Sequence, residues 1–337
     1  MNARAGVLAC AACLPETHRR TDDLLYAHVD TTPNRSGQRE SDLFTGAFER
    51  RFLGEGEDIE TFMRCACRQA LSDAGLTPHH VDRLYGYASV PTYATPNSLY
   101  LLHERLGLRS DALVVPINSE FSNFLLGLLQ AHEAITAGTC RHALVVSGSN
   151  WTRHLDFRRG HAQAASDGAG AAVVGPEGAF SVIDHATHTA GAYYESMTMG
   201  VRIRQADEWA GIPVNTQGVP VPTYSLDPDM GVEVYQTLMR DGLPRLVSQL
   251  MDRHDIRGED IALITHQGSR ELLDHWRHSI QPSQHLETLA TFGNLTNATY
   301  PVNLAHHFQT ISAPYLAIAA VGTGFHLTAL LLRNHHS

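Results

Sequence analysis

The stretch Val115 to Phe124, VPINSEFSNF, runs an apolar strand into a turn and straight into a helix. The free N–H groups and the dipole of a helix start stabilise an anion, which is why nucleophiles are often held at such a turn. The residue at that point is Phe121, flanked by Glu120 and Ser122. A benzyl side chain has no nucleophilic atom, so chemistry here must proceed without a covalent intermediate on residue 121. His266 follows the apolar run Ile261 to Thr265, and Asn294 sits in the glycine-bearing loop FGNLTNA, placements that by themselves assign neither a role. Each has a plain reading. The chain carries 21 histidines, so one histidine at a strand end is weak by itself, and Glu120 at a helix start is first of all a favourable dipole contact.

The elements that position these residues follow from hydrophobic periodicity. Asp58 to Ala74 reads as a helix, with Ile59, Phe62, Met63, Ala66 and Ala70 on one face and Gly75 as its stop. Val81 to Val90 reads as a strand, Leu99 to Leu106 as a helix, Ala112 to Ile117 as a strand, Phe121 to Ala137 as a helix and Ala143 to Ser147 as a strand. The second half repeats the first at an offset of 180 residues, Ile261 answering Val81 and Ile256 answering Leu76. It offers helices over Val232 to Leu250 and Arg270 to Ile280, and closing strands over Tyr315 to Val321 and His326 to Leu332. The join lies near Gly175 to Phe180, which divides the chain into halves 1–177 and 178–337. Two similar α/β halves face to face predict a layered architecture with buried, parallel-rich sheets. Thr187 to Asp229, irregular and rich in Pro, Gly and Tyr, reads as an excursion that lines a pocket.

With 337 residues, 43% hydrophobic and 18% charged, the chain can bury a large core. A formal charge of -10 without basic blocks argues against nucleic acid, and no apolar stretch has a membrane span's length. The five cysteines lack a secreted-scaffold spacing and read as thiols of a cytoplasmic protein, AGVLACAAC being a buried first strand. Cys10 and Cys13 have no partner pair for zinc, and the doublets His79-His80, His306-His307 and His335-His336 lack ligand geometry, so neither metal nor cofactor is expected. SDGAGAAVVG departs from a dinucleotide fingerprint at Val173 and reads as a glycine-permitted turn. Asn34, Asn150, Asn294 and Asn297 all fall in Asn-x-Ser/Thr triplets, to which no role is given.

Four motifs in this order resemble those of beta-ketoacyl synthase III, a condensing enzyme of the thiolase fold: INSEFSNF for its A-C-A-G-F, SDGAGAAVVG for F-G-D-G-A-G-A, ITHQGS for P-H-Q-A-N, and FGNLTNA for G-N-T-S-A. The resemblance runs nearly end to end and implies a five-layered α-β-α-β-α architecture. It puts Phe121 in the place of the family's nucleophilic cysteine and gives His266 and Asn294 the catalytic places. It implies an oxyanion hole from the backbone N–H groups of Phe121 and Thr323, with Glu120, Ser122 and Phe325 as pocket candidates. Arg159 matches an arginine at the thioester entrance, while Glu40 and Phe44 replace a Trp and an Arg that grip coenzyme A. A homodimer through the strand at Ala143 to Ser147 is also implied. The expected function is an acyltransferase of specialised, polyketide-type metabolism. It would move an acyl group from a carrier-protein or coenzyme A thioester directly to a small acceptor, with His266 as base and Asn294 as polar partner. Two alternatives stand beside it: a non-catalytic partner subunit of another ketosynthase, and a cyclase, lyase or isomerase using the same pocket.

Overall fold

The computed structural model describes residues 4–201, 214 and 221–336. Its main sheet has ten strands: β1 (Ala5–Cys13), β2 (Arg83–Ala88), β3 (Leu113–Pro116), β4 (Ala143–Ser149), β5 (Gly168–Pro176), β6 (Phe180–Thr189), β7 (Ile261–Thr265), β8 (Gln284–Leu286), β9 (Tyr315–Gly322) and β10 (His326–Asn334). Their order is β8-β7-β9-β10-β6-β1-β5-β4-β2-β3. Each half of the chain thus lays its five strands down in the same sequence, β3-β2-β4-β5-β1 and β8-β7-β9-β10-β6. The pairing repeats as well: β2 is parallel to β3 and β4, β7 is parallel to β8 and β9, and the other ladders are antiparallel. The halves meet at a single residue pair, Val7 with Phe180.

Among the described residues, the six longest α-helices complete the layers: α1 (Ile59–Asp73), α2 (Ser98–Leu106), α3 (Asn123–Thr136), α4 (Leu243–Arg253), α5 (Arg270–Ile280) and α6 (Thr299–His307). Helices α1 and α2 cover the outer face of the first half-sheet, α4 with α5 that of the second, and α3 and α6 lie between the two. This is the thiolase fold, with its α-β-α-β-α layering. Helix α1 starts where sequence chemistry puts it, the Asp58 carboxylate accepting from the Thr61 N–H at 2.6 Å. Helix α3 is apolar almost all round, as a helix buried between two sheets must be, with Phe124, Leu125, Leu128 and Ala131 fully enclosed.

Four expectations need correction. Cys13 and Cys65 form a disulfide rather than two thiols, because the end of β1 and the second turn of α1 pack with their Cα atoms 6.0 Å apart. SDGAGAAVVG is strand β5 rather than a turn; its glycines admit α6, since a Cβ on Gly170 would meet Pro301 at 2.8 Å. Strand β4 cannot be a dimer edge, because it is paired on both sides; the edge of that half is β3, where Leu113 is 51% exposed. The helix expected from Val232 starts at Met230 and runs through a π-helical stretch, Tyr235–Gly242, before α4. No described helix is long and apolar enough to cross a membrane.

Candidate active site

Phe121 occupies the turn between β3 and α3 with φ 72°, a left-handed conformation that disfavours side chains by about 1–2 kcal/mol. Its buried ring stacks on the His266 imidazole, with centroids 5.3 Å apart and planes at 25°, and tilts against Trp151 at 5.1 Å. His266 leaves the end of β7 with its N–H on the Ala319 carbonyl, and its Nδ1 lies 3.5 Å from the Tyr300 hydroxyl. Burial pushes its pKa down to about 4, so the imidazole is neutral at physiological pH. Asn294 is fixed by its N–H on Ala164 O (2.7 Å) and by its Oδ1, which accepts from the Thr296 N–H (3.0 Å). A methyl group built on Gly268 would fall 3.2 Å from His266 Nε2 and 3.7 Å from Asn294 Nδ2, so the two nitrogens lie near one another.

His266 and Asn294 both line a cavity of ≈ 40 Å³ whose wall also includes Phe121, Trp151 and Tyr224, and among the described residues no Asp, Glu, Lys or Arg side chain lines it. The space suits a water or a small substituent. Met197, Tyr224 and Leu226 reach it from the irregular stretch 187–229, whose residues 202–213 and 215–220 lie outside the described ones.

The pocket candidates beside Phe121 point elsewhere. The Glu120 carboxylate turns onto Trp151 Nε1 (3.0 Å) and Asn297 Nδ2 (3.1 Å). Burial pushes its pKa up to about 7, against hydrogen bonds from Ser89, Trp151 and Asn297 that favour the anion. Ser122 is fully buried with its hydroxyl 2.8 Å from His326 Nε2, and Phe325 is buried in the core. None of the three lines the cavity. The backbone donors are also engaged: the Phe121 N–H donates to Asn297 Oδ1 at 2.6 Å and the Thr323 N–H to the Glu120 carbonyl at 3.3 Å. The oxyanion hole expected from them is therefore closed by the protein's own acceptors.

Arg159 stands at a neighbouring groove but is spoken for. Its Nε donates to Glu40 Oε2 at 3.1 Å, while Glu40 Oε1 accepts from His161 Nδ1 at 2.6 Å. Burial would raise the Glu40 pKa, but the His161 and Arg159 contacts outweigh it and hold the carboxyl at about 2. The entrance thus presents a neutralised ion pair rather than a free cation for a phosphate.

Sequence reasoning missed the aromatic wall and Asn297. Trp151, His161 and Tyr224 come from segments with no shared spacing. Asn297 lay inside FGNLTNA, and its place in that motif was the only signal available.

Comparison with known proteins agrees with this fold. Residues 116–191 match the family profile of 3-oxoacyl-(acyl-carrier-protein (ACP)) synthase III, and residues 251–334 match the profile of that enzyme's C-terminal part. A beta-ketoacyl-(acyl-carrier-protein) synthase III of Rhodospirillum rubrum is 26% identical over 98% of this chain and 99% of its own. Among solved structures, 3-oxoacyl-(acyl-carrier-protein) synthase III from Aquifex aeolicus superposes with TM-score 0.80 at 20% identity, over 98% of this chain and 99% of the other. A priming beta-ketosynthase of a polyketide biosynthetic pathway does so with TM-score 0.80 at 22% identity, over 99% and 98%. By fold the chain is a thiolase-fold protein, and a stretch in each half is similar in sequence to beta-ketoacyl synthase III.

Proposed function

We propose that the chain is an acyltransferase of specialised, polyketide-type metabolism, moving an acyl group from a carrier-protein or coenzyme A thioester directly to a small acceptor, with no covalent intermediate on residue 121. The observation that carries this reading is that His266 and Asn294, whose Nε2 and Nδ2 lie near one another beside Gly268, both line the cavity at Phe121. Asn294 holds the thioester oxygen as charge builds on it, and His266 takes the acceptor's proton. Holding donor and acceptor in line contributes about 7–11 kcal/mol, and base assistance about 10²–10⁴ in rate. A base depressed to about 4 is always available but weak. Such a site suits an already activated thioester and an acceptor nucleophilic without full deprotonation, such as an amine. The paired Arg159 and Glu40 favour recognition of the pantetheine arm over a nucleotide phosphate. Kinship in fold to a priming polyketide ketosynthase supports the metabolic setting.

Steady-state kinetics with donor and acceptor varied together test the reading. Sequential kinetics are expected, together with a loss of roughly 10²-fold or more in kcat/KM for His266→Ala and no acyl adduct on residue 121. Ping-pong kinetics would refute it. Two observations favour a second reading, a non-catalytic partner subunit: the cavity is only ≈ 40 Å³, and both backbone amides are closed off. Stable copurification with a second ketosynthase, and no turnover alone, decides for that reading.

A further inference from the structure

Away from the cavity, on the other side of the Phe121 turn, Ser119, Ser122 and His326 form a cluster that the acyltransferase reading does not use. His326 Nδ1 lies 3.0 Å from the Thr323 carbonyl. A carbonyl only accepts, so Nδ1 carries the hydrogen, and in the neutral ring Nε2 keeps its lone pair. Burial holds the ring neutral by lowering its pKa, against the Thr323 bond that raises it. Two hydroxyls compete for that lone pair, Ser122 Oγ at 2.8 Å and Ser119 Oγ at 3.2 Å. Ser122 is fully enclosed, whereas Ser119 is half-buried beside the exposed Asn118, and His326 is itself half-buried. The imidazole reaches this place because residue 322 is glycine: a Cβ there would lie 2.1 Å from His326 Cε1 and 2.2 Å from Nε2. Hydroxyl, base and a carbonyl that orients the base are the parts of an activated nucleophile, with Ser119 set here in the turn that leads into a 14-residue helix.

We propose that Ser119, with His326 as base and the Thr323 carbonyl as orienter, is a second, nucleophilic site that takes acyl groups from small activated esters and thioesters. Ser119 Oγ attacks the acyl carbon while its proton passes to His326 Nε2. The bond to the leaving oxygen or sulfur breaks, and the leaving group collects that proton. A Ser119 ester remains. Water then attacks the ester, giving a proton to Nε2; the acid departs and Oγ recovers its hydrogen. Neither Ser119 nor His326 lines the Phe121 cavity, so this chemistry is independent of transfer by His266.

The test uses the full chain and p-nitrophenyl acetate. The sequence contains no lysine, so the commonest background acetylation of proteins is absent, and the three free cysteines are buried. A burst of p-nitrophenolate and one acetyl group mapped to Ser119 are expected. Ser119→Ala should abolish both. His326→Asn, its fold checked by circular dichroism, should slow labelling by about 10²-fold or more. Ser122→Ala should keep or quicken labelling, because it leaves Nε2 to Ser119 alone. His266→Ala should leave it intact, which separates failure here from failure of the acyltransferase reading. The proposal is overturned by an acetyl group on Ser122 instead, by no adduct at Ser119, or by a Ser119 adduct that forms as fast in folded His326→Asn.

Discussion

The left-handed backbone at Phe121 makes a stability prediction that runs against the usual order of two substitutions. In ordinary helix or strand backbone, Gly is less stable than Ala by about 0.5–1 kcal/mol because it loses more conformational freedom on folding. At φ 72° the Cβ strain of about 1–2 kcal/mol applies to Phe and Ala and vanishes in Gly. Subtracting one from the other leaves Phe121→Gly more stable than Phe121→Ala by on the order of 1 kcal/mol. Both variants lose a ring that is 5% exposed and stacked between His266 and Trp151, so Phe121→Ala should fall about 3–5 kcal/mol below wild type. The N–H bond to Asn297 survives in both and cancels. Urea unfolding of the three proteins, with midpoints compared at a common slope, reads the order directly. Phe121→Gly equal to or below Phe121→Ala refutes the strain assignment.

Two further outcomes follow from other parts of the structure. The Glu120 carboxyl is raised to about 7 by burial, so the folded chain holds that proton more tightly than the unfolded chain does. Its stabilising contribution is complete below the unfolded carboxylate range and is lost as pH rises through about 7. Glu120→Gln keeps an acceptor for Trp151 Nε1 and should gain stability over wild type between pH 5 and pH 8, whereas a difference that stays constant with pH in denaturation curves contradicts the burial argument. If the chain is a homodimer, its open edge is β3, so light scattering should find a dimer at micromolar concentration that Leu113→Lys converts to monomer; a wild-type monomer, or a dimer indifferent to the lysine, refutes this.

Elements with strong periodicity were legible from the chain alone. Strand β7 and helix α5 fall on the residues expected, and α1 differs by one residue at each end, because apolar spacing and the Asp58 cap are local signals. The 180-residue repeat announced two similar halves, but the order of strands within them came only with the structure. His266 and Asn294 were legible as a pair through their motifs. The closure of the Phe121 amide was not, since its acceptor lies 176 positions away and nothing local announces that Asn297 Oδ1 will arrive there. For the same reason Glu120 read as a helix-start charge when its carboxylate in fact turns toward Trp151. The disulfide escaped because Cys13 and Cys65 are 52 residues apart and only the docking of α1 on β1 brings them together.

The single Val7–Phe180 pairing between the half-sheets bears on how the chain acquires its structure. Backbone hydrogen bonding contributes little across that seam, so the two middle helices hold the halves together. Helix α3, from the first half, packs on β6 and β10 of the second, and α6, from the second, packs on β1 and β5 of the first. Each middle helix completes the other half's inner face. A ribosome that has released only residues 1–177 has therefore made a sheet whose inner face carries α3 but lacks α6 over β1 and β5. Such a chain depends on its second half, or on a chaperone in the interval, to become soluble. Separately expressed halves should aggregate alone and recover when refolded together.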